Sequence, residues 1–159
     1  MNDEYFMSLA IKEAKKAFKK DEIPVGAVIV YNGKVISKAY NKKNKSNRVK
    51  DHAEILAIDK ANKRLRNWRL EDCEIYITLE PCPMCASAIE QARIKRIITG
   101  AVNKNIETSK ISLEILKNKD WTHSVQEKEC IELLNKFFKL KRWKIFPGKY
   151  FFIYISFDK

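Results

Sequence analysis

Two short pieces of this chain hold the residue types and spacings that could do chemistry. One reads Asp51-His52-Ala53-Glu54 and the other Glu80-Pro81-Cys82-Pro83-Met84-Cys85. An imidazole from His52 and thiolates from Cys82 and Cys85 would give a zinc ion three ligands and leave its fourth tetrahedral position to water. Two thiolates balance the charge of the ion, which still acidifies a water toward neutrality. Glu54 follows His52 by two residues, so at a helix start the two side chains diverge by about 200°. They do not bind one ion in the same way, and Glu54 is left free to carry protons beside the metal. A Cys-x-x-Cys pair at a helix N-terminus is favourable too, because the helix N–H groups and the positive dipole end stabilise thiolate.

Each residue also has a plainer reading. A lone Cys-x-x-Cys serves equally as a redox pair or as half of a structural zinc site, with Cys73, His123 or Cys130 as a fourth ligand. A lone His52 fits an ordinary buried histidine. The two pieces together are far more specific than either one.

The elements that must position them follow from hydrophobic periodicity. Residues 4–20 place Phe6, Ala10, Ala14 and Ala17 on one helical face, and 21–24 end that helix. The apolar run 25–31 reads as a strand buried on both faces. Asn32-Gly33 is a type I′ hairpin signal that returns 34–40 as the partner strand. The polar, basic stretch 41–51 reads as a loop, and 52–65 as a helix burying Ala53, Leu56, Ala57 and Ala61. A strand at 74–79 leads to a helix at 83–93 that starts inside the Cys pair, with Pro83 in a first-turn position. Then come a strand at 95–100, a helix near 110–118, an irregular stretch, a helix at 126–142 and a last strand at about 150–157. Strands alternating with helices predict one α/β domain over 1–159, a central sheet with helices on both faces.

Composition bounds the function. The chain has 159 residues and a formal charge of +12, from 32 Lys plus Arg against 20 Asp plus Glu. Such a surface attracts polyanions, RNA among them, although a lysine-rich compositional bias gives the same number. With hydrophobic residues at 45%, disorder is excluded. The acidic start Met1-Asn2-Asp3-Glu4 is unlike a secretory signal, and no apolar run approaches the length of a membrane helix. These features predict a soluble, cytoplasmic protein with no membrane partner. In such a setting four cysteines point to metal or redox chemistry rather than disulfides.

The spacing His-x-Glu followed by Pro-Cys-x-x-Cys is the known signature of zinc nucleobase deaminases, in which the Glu is the acid and base rather than a ligand. The chain resembles the cytidine/deoxycytidylate deaminase superfamily, and within it the bacterial tRNA adenosine deaminases. The resemblance rests on Ile23-Pro24-Val25-Gly26-Ala27-Val28, His52-Ala53-Glu54-Ile55-Leu56-Ala57, Asn67-Trp68-Arg69-Leu70, the run from Tyr76 to Cys85, Gly100-Ala101 and Phe137-Phe138, across roughly 4–142. It implies a three-layer fold with a mixed sheet, one zinc per chain, a homodimer, and conversion of the wobble adenosine of a tRNA anticodon stem-loop to inosine. It makes Glu54 the proton carrier between the attacking water, purine N1 and the leaving amine. It also makes Asn41 a base contact, a reading favoured over that of a simple turn residue, and it lets the backbone N–H of Ala53 hold the base. Asn103 is a further candidate RNA contact, or a solvated loop residue; Phe137 or Phe138 is another, or core. Lys42, Lys43, Lys45, Arg48 and Lys50 would meet phosphates. A free guanine or cytosine deaminase and a catalytically silent RNA-binding subunit are the rival functions.

Two departures stand out. The stretch 102–109 lacks the glycines usual in the family. The strand expected after Thr122-His123-Ser124-Val125 is nearly absent, which predicts an open sheet edge beside 95–100. Residues 150–157 would fill that edge as a parallel strand, or pack on a partner subunit.

Overall fold

The computed structural model describes residues 2–144. Its strands are β1 (Gly26–Tyr31), β2 (Lys34–Tyr40), β3 (Cys73–Leu79), β4 (Arg96–Ala101) and β5 (Asp120–Thr122). Its helices are α1 (Asp3–Lys19), α2 (Lys43–Ser46), α3 (Ala53–Leu65), α4 (Pro83–Gln91), α5 (Ile106–Ile115) and α6 (Glu127–Lys144). The strands form one mixed sheet in the order β2-β1-β3-β4-β5.

Period-two alternation divides each central strand between two cores. Ala27, Ile29, Ile75, Ile77 and Ile97 pack with Ala53, Ala57, Ala61, Ala86 and Ile89 from α3 and α4. Val28, Val30, Tyr76 and Ile98 face the other way, onto Phe6, Met7, Ala10, Ile11 and Leu134 from α1 and α6. Helices thus cover both faces, as the alternating pattern predicts, and this is the three-layer α/β fold. In the hairpin, Asn32 (φ 48°) and Gly33 (φ 71°) both take the left-handed conformation that a type I′ turn requires. Gly26 serves a different need: a Cβ there would collide with the backbone oxygen of Ala10, so only glycine lets α1 lie this close to β1.

Strand direction gathers the chemistry-bearing segments. β1 runs antiparallel to β2 and β3, while β3, β4 and β5 are parallel. Gly26 pairs with Tyr40, Ala27 with Ile77, and Leu79 with Ala101. The entry to β1 and the exits of β2, β3 and β4 therefore share one end of the sheet. The N-termini of α3 and α4 open there as well. The carboxyl ends of parallel strands are where open α/β sheets place their sites.

Three boundaries differ from the periodicity. The polar loop contains the single turn α2, which stops at Asn47 in the left-handed conformation. α5 starts at Ile106 rather than near 110, because the Asn105 side chain accepts the N–H of Thr108 as an N-cap. The sheet edge beside β4 is also not vacant: β5 fills it, with Ile97 paired to Trp121 and Ile98 to Thr122. Three residues are too few for a period-two pattern to declare itself, so the sequence conceals this strand. The proposed vacancy for 150–157 is therefore overturned, and that segment itself lies outside the described residues.

Candidate metal centre and substrate cleft

His52 is the N-cap of α3 and Cys82 the N-cap of α4, both in extended backbone conformation. Neither side chain caps its own helix. They turn instead toward one another. His52 Nδ1 lies 3.6 Å from Cys82 Sγ and 3.5 Å from Cys85 Sγ. Tetrahedral zinc with Zn–S about 2.3 Å and Zn–N about 2.0–2.1 Å has N-to-S edges of about 3.5–3.6 Å, so the trio fits that ion. Among the described residues these three form the cluster able to hold a metal. Cys73, Cys130 and His123 stand outside it, so the fourth ligand that a structural site would need is missing from that set.

The electrostatics of the trio follow from its crowding. Hydrogen bonding from Cys85, assisted by His52, pulls the Cys82 thiol down to about 4 against the opposing effect of burial. The same bond, together with burial, pushes Cys85 far upward. His52 is raised, chiefly by its hydrogen bond with Cys82. Glu54 is buried in the first turn of α3, and burial is the main cause that lifts its carboxyl to about 7. An acid in that range both gives and takes protons near neutrality.

A cleft of about 170 Å³ opens beside the trio, lined by Ile23, Val25, Asn41, Lys43, His52, Ala53, Glu54, Leu79, Glu80, Cys82 and Asn103. Asn41 is buried there. Its Nδ2 donates to the Ile23 carbonyl (3.2 Å) and its Oδ1 accepts the Lys43 N–H (3.2 Å). Each end keeps capacity for one more hydrogen bond. Ala53 is the first residue of α3, so its N–H is one of the donors a helix leaves without an internal acceptor.

The sequence model of the cytidine and deoxycytidylate deaminase zinc-binding region matches residues 1–101. The chain belongs to this deaminase family. Among its curated relatives, the tRNA-specific adenosine deaminase of Bacillus subtilis is 42% identical over 148 residues, 89% of this chain and 92% of that protein. The tRNA-specific adenosine deaminase of Aquifex aeolicus is 43% identical over 147 residues, 89% of this chain and 97% of its own length. A solved structure from work on A-to-I editing by tRNA:A34 deaminases superposes with a TM-score of 0.76 at 38% identity, covering 82% of this chain and 99% of that one. A guanine deaminase from Bacillus subtilis superposes with a TM-score of 0.62 at 37% identity, covering 76% of this chain and 73% of that one. The deaminase is a zinc-dependent hydrolase, and His52, Cys82 and Cys85 are its residues placed to hold the ion.

The remaining sequence candidates divide. Asn103 lines the cleft, but its side chain is engaged within its own loop. Oδ1 accepts the Asn105 N–H (3.0 Å) and Nδ2 donates to Thr108 Oγ1 (3.2 Å). Phe137 is core, edge-on to Phe18. Phe138 is half-buried against the α1 and α6 cluster and is not part of the cleft lining. Two residues carry roles that their sequence positions did not assign. Buried Glu80 accepts the Asn103 N–H (3.0 Å) and the Ser109 hydroxyl (3.2 Å) on Oε2, and its Oε1 faces His123 Nδ1 at 3.2 Å. Buried Glu22 accepts the N–H groups of Asn44 (3.1 Å) and Lys45 (2.6 Å). A carboxylate between Leu79 and Pro81 at a strand end is a signal for Glu80; Glu22, after a charged helix end, gave none.

Proposed function

We propose that this deaminase converts adenosine to inosine at the wobble position of a tRNA anticodon, as the names of its relatives indicate for those proteins. The observation that carries the reading is one cleft, beside the metal trio and lined by two of its members, that also holds the buried Glu54 carboxyl, the Asn41 amide and the first N–H of α3. Zinc in the trio supplies Lewis-acid activation of the attacking water. Asn41 and the Ala53 N–H fix the purine against the trio. Glu54 takes a proton from the water as its oxygen adds to C6, and gives that proton to ring N1. It next takes the proton of the new C6 hydroxyl and delivers it to the departing amine, so that the C6–N bond breaks, C6 becomes the oxo carbon, and adenosine and water leave as inosine and ammonia.

Charge supports an RNA substrate. Lys43 lines the cleft, and Lys45, Arg48 and Lys50 are exposed on the same loop. A second copy of the chain belongs to this reading: α5 exposes Ile106, Ile111 and Leu113, apolar side chains that a homodimer would cover. Among the described residues no helix is long and apolar enough to cross a membrane, in keeping with a cytoplasmic tRNA-modifying enzyme.

Mass analysis of tRNA anticodon stem-loops incubated with zinc-loaded protein tests the proposal, with free guanine, cytosine and adenine assayed alongside. Inosine in the stem-loop is the expected product. Turnover of free guanine or cytosine without inosine in RNA would establish the free-nucleobase deaminase reading instead.

A further inference from the structure

The β5 edge carries two aromatic rings that the deamination chemistry does not use. Trp121 lies in β5 and His123 directly follows its last residue, and the two rings stack with centroids 4.7 Å apart and planes 18° from parallel. Both rings are pinned. The Trp121 indole N–H donates to Thr99 Oγ1 (3.0 Å). His123 Nδ1 lies 3.2 Å from Glu80 Oε1, and since a carboxylate only accepts, the ring N–H is the donor. Glu80 itself lines the cleft, so His123 stands one side chain away from the site of reaction. The His123 side chain is 40% exposed, with its covered face on Trp121.

We infer that His123, backed by Trp121 and held by Glu80, is a stacking platform for the nucleobase next to the adenosine in the cleft. The inference deepens the RNA reading above and rests on it. Placing one base in a pocket takes it out of the stack and strips its neighbours of a partner. Single-stranded RNA bases freed in this way stack on aromatic side chains, histidine included. Rings fixed beforehand lose little conformational freedom when a base settles on them. Glu80 presents no bare anion to the incoming phosphates, because both its oxygens face donors.

The test compares wild type, His123→Ala and His123→Phe on a tRNA anticodon stem-loop. The same stem-loop is also made with an abasic nucleotide immediately 5′ or 3′ of the target. Affinity is read by fluorescence anisotropy, turnover by inosine formation and metal content by mass spectrometry. His123→Ala should raise Kd and KM about tenfold, equivalent to about 1.4 kcal/mol, with kcat and zinc content held. His123→Phe should recover most of that loss. On one of the two abasic stem-loops, wild type and His123→Ala should bind alike. Equal losses on intact and both abasic stem-loops would overturn the platform, as would a His123→Phe variant no better than alanine. Wild-type protein that makes no inosine on the intact stem-loop would instead sink the RNA reading.

Discussion

Two buried glutamates hold the two rims of the cleft, and they hold different kinds of surface. Glu22 accepts the N–H groups of Asn44 and Lys45, which fixes the α2 turn and presents Lys43 and Lys45 outward. Glu80 accepts from Asn103, Ser109 and His123, which fixes amides and rings. The first rim is a charged surface, whose attraction for phosphate is long in range and blind to sequence. The second acts only at contact and depends on what base is there. The contrast separates two tasks that a single basic patch would merge: capturing RNA, and setting which nucleotide enters. The floor between the rims, with the metal trio and Glu54, is where the proposed reading puts the chemistry.

The largest effect should come from the floor, and it calibrates the rims. Glu54→Gln keeps the shape of the side chain and removes its ability to carry protons. It should lower kcat by roughly 10²–10⁴ or more, while zinc content and stem-loop Kd stay at wild-type values. Rapid-quench turnover and metal analysis check this. Near-normal kcat with full zinc would show that proton transfer belongs to another group. A rim variant that lost as much kcat as Glu54→Gln would erase the distinction between floor and rim.

The floor was legible in the sequence because its signal is local. His52 with Glu54, and Cys82 with Cys85, are short-range spacings, and a Pro at helix position N1 marks where α4 starts. The two-sided burial of the strand at 25–31 was legible for the same reason, with every residue of β1 except Tyr31 buried. The rims were not legible. Glu80 reaches Ser109 and His123, and Glu22 reaches Lys45, across chain separations that no periodicity encodes. Asn103 looked like an RNA contact because it is a loop amide beside the site. The structure adds that its amide bonds Asn105 and Thr108, so it also shapes the loop, while each end keeps capacity for one more hydrogen bond.

A smaller effect should separate the rims from each other. Glu22 is 1% exposed, and Glu22→Ala leaves the Asn44 and Lys45 N–H groups without their acceptor. Losing two hydrogen bonds to a carboxylate, each worth about 1.5–3 kcal/mol, should loosen the turn and free its lysines from their fixed position. Stem-loop Kd at low salt should rise roughly tenfold, about 1.4 kcal/mol, with kcat unchanged. Each lost phosphate contact flattens the plot of log Kd against log salt by about 0.7 for single strands. Glu22→Ala should therefore reduce that slope by one contact or more, and His123→Ala should leave it alone. Salt titrations of both variants check the pair, and equal slope changes would mean that the two rims do not differ in kind.

The smallest effect should come from a charge cluster belonging to neither rim. Glu74 pairs in register with Arg96 where β3 and β4 begin, at the opposite end of the sheet from the Leu79–Ala101 pair beside the cleft. There Arg96 grips Asp3 through both carboxylate oxygens, at 3.0 and 2.6 Å, and also bonds Glu74 at 3.2 Å. Hydrogen bonding from Arg96 is the main reason that the Asp3 pKa lies below its ordinary value of 3.8. A carboxyl group depressed by folding adds stability above its unfolded pKa and loses it as pH falls through the folded one. The Asp3→Asn variant should therefore melt slightly below wild type at neutral pH, by about 1–3 °C for a partly exposed ion pair in a chain of this size. The difference should shrink from about pH 5 downward and vanish in strong acid. Because this cluster anchors the start of α1 rather than the cleft, kcat, KM and salt slope at neutral pH should all match wild type. A shift in any of the three would show that the far end of the sheet reaches the rims, so that their division of labour is not local to the loops.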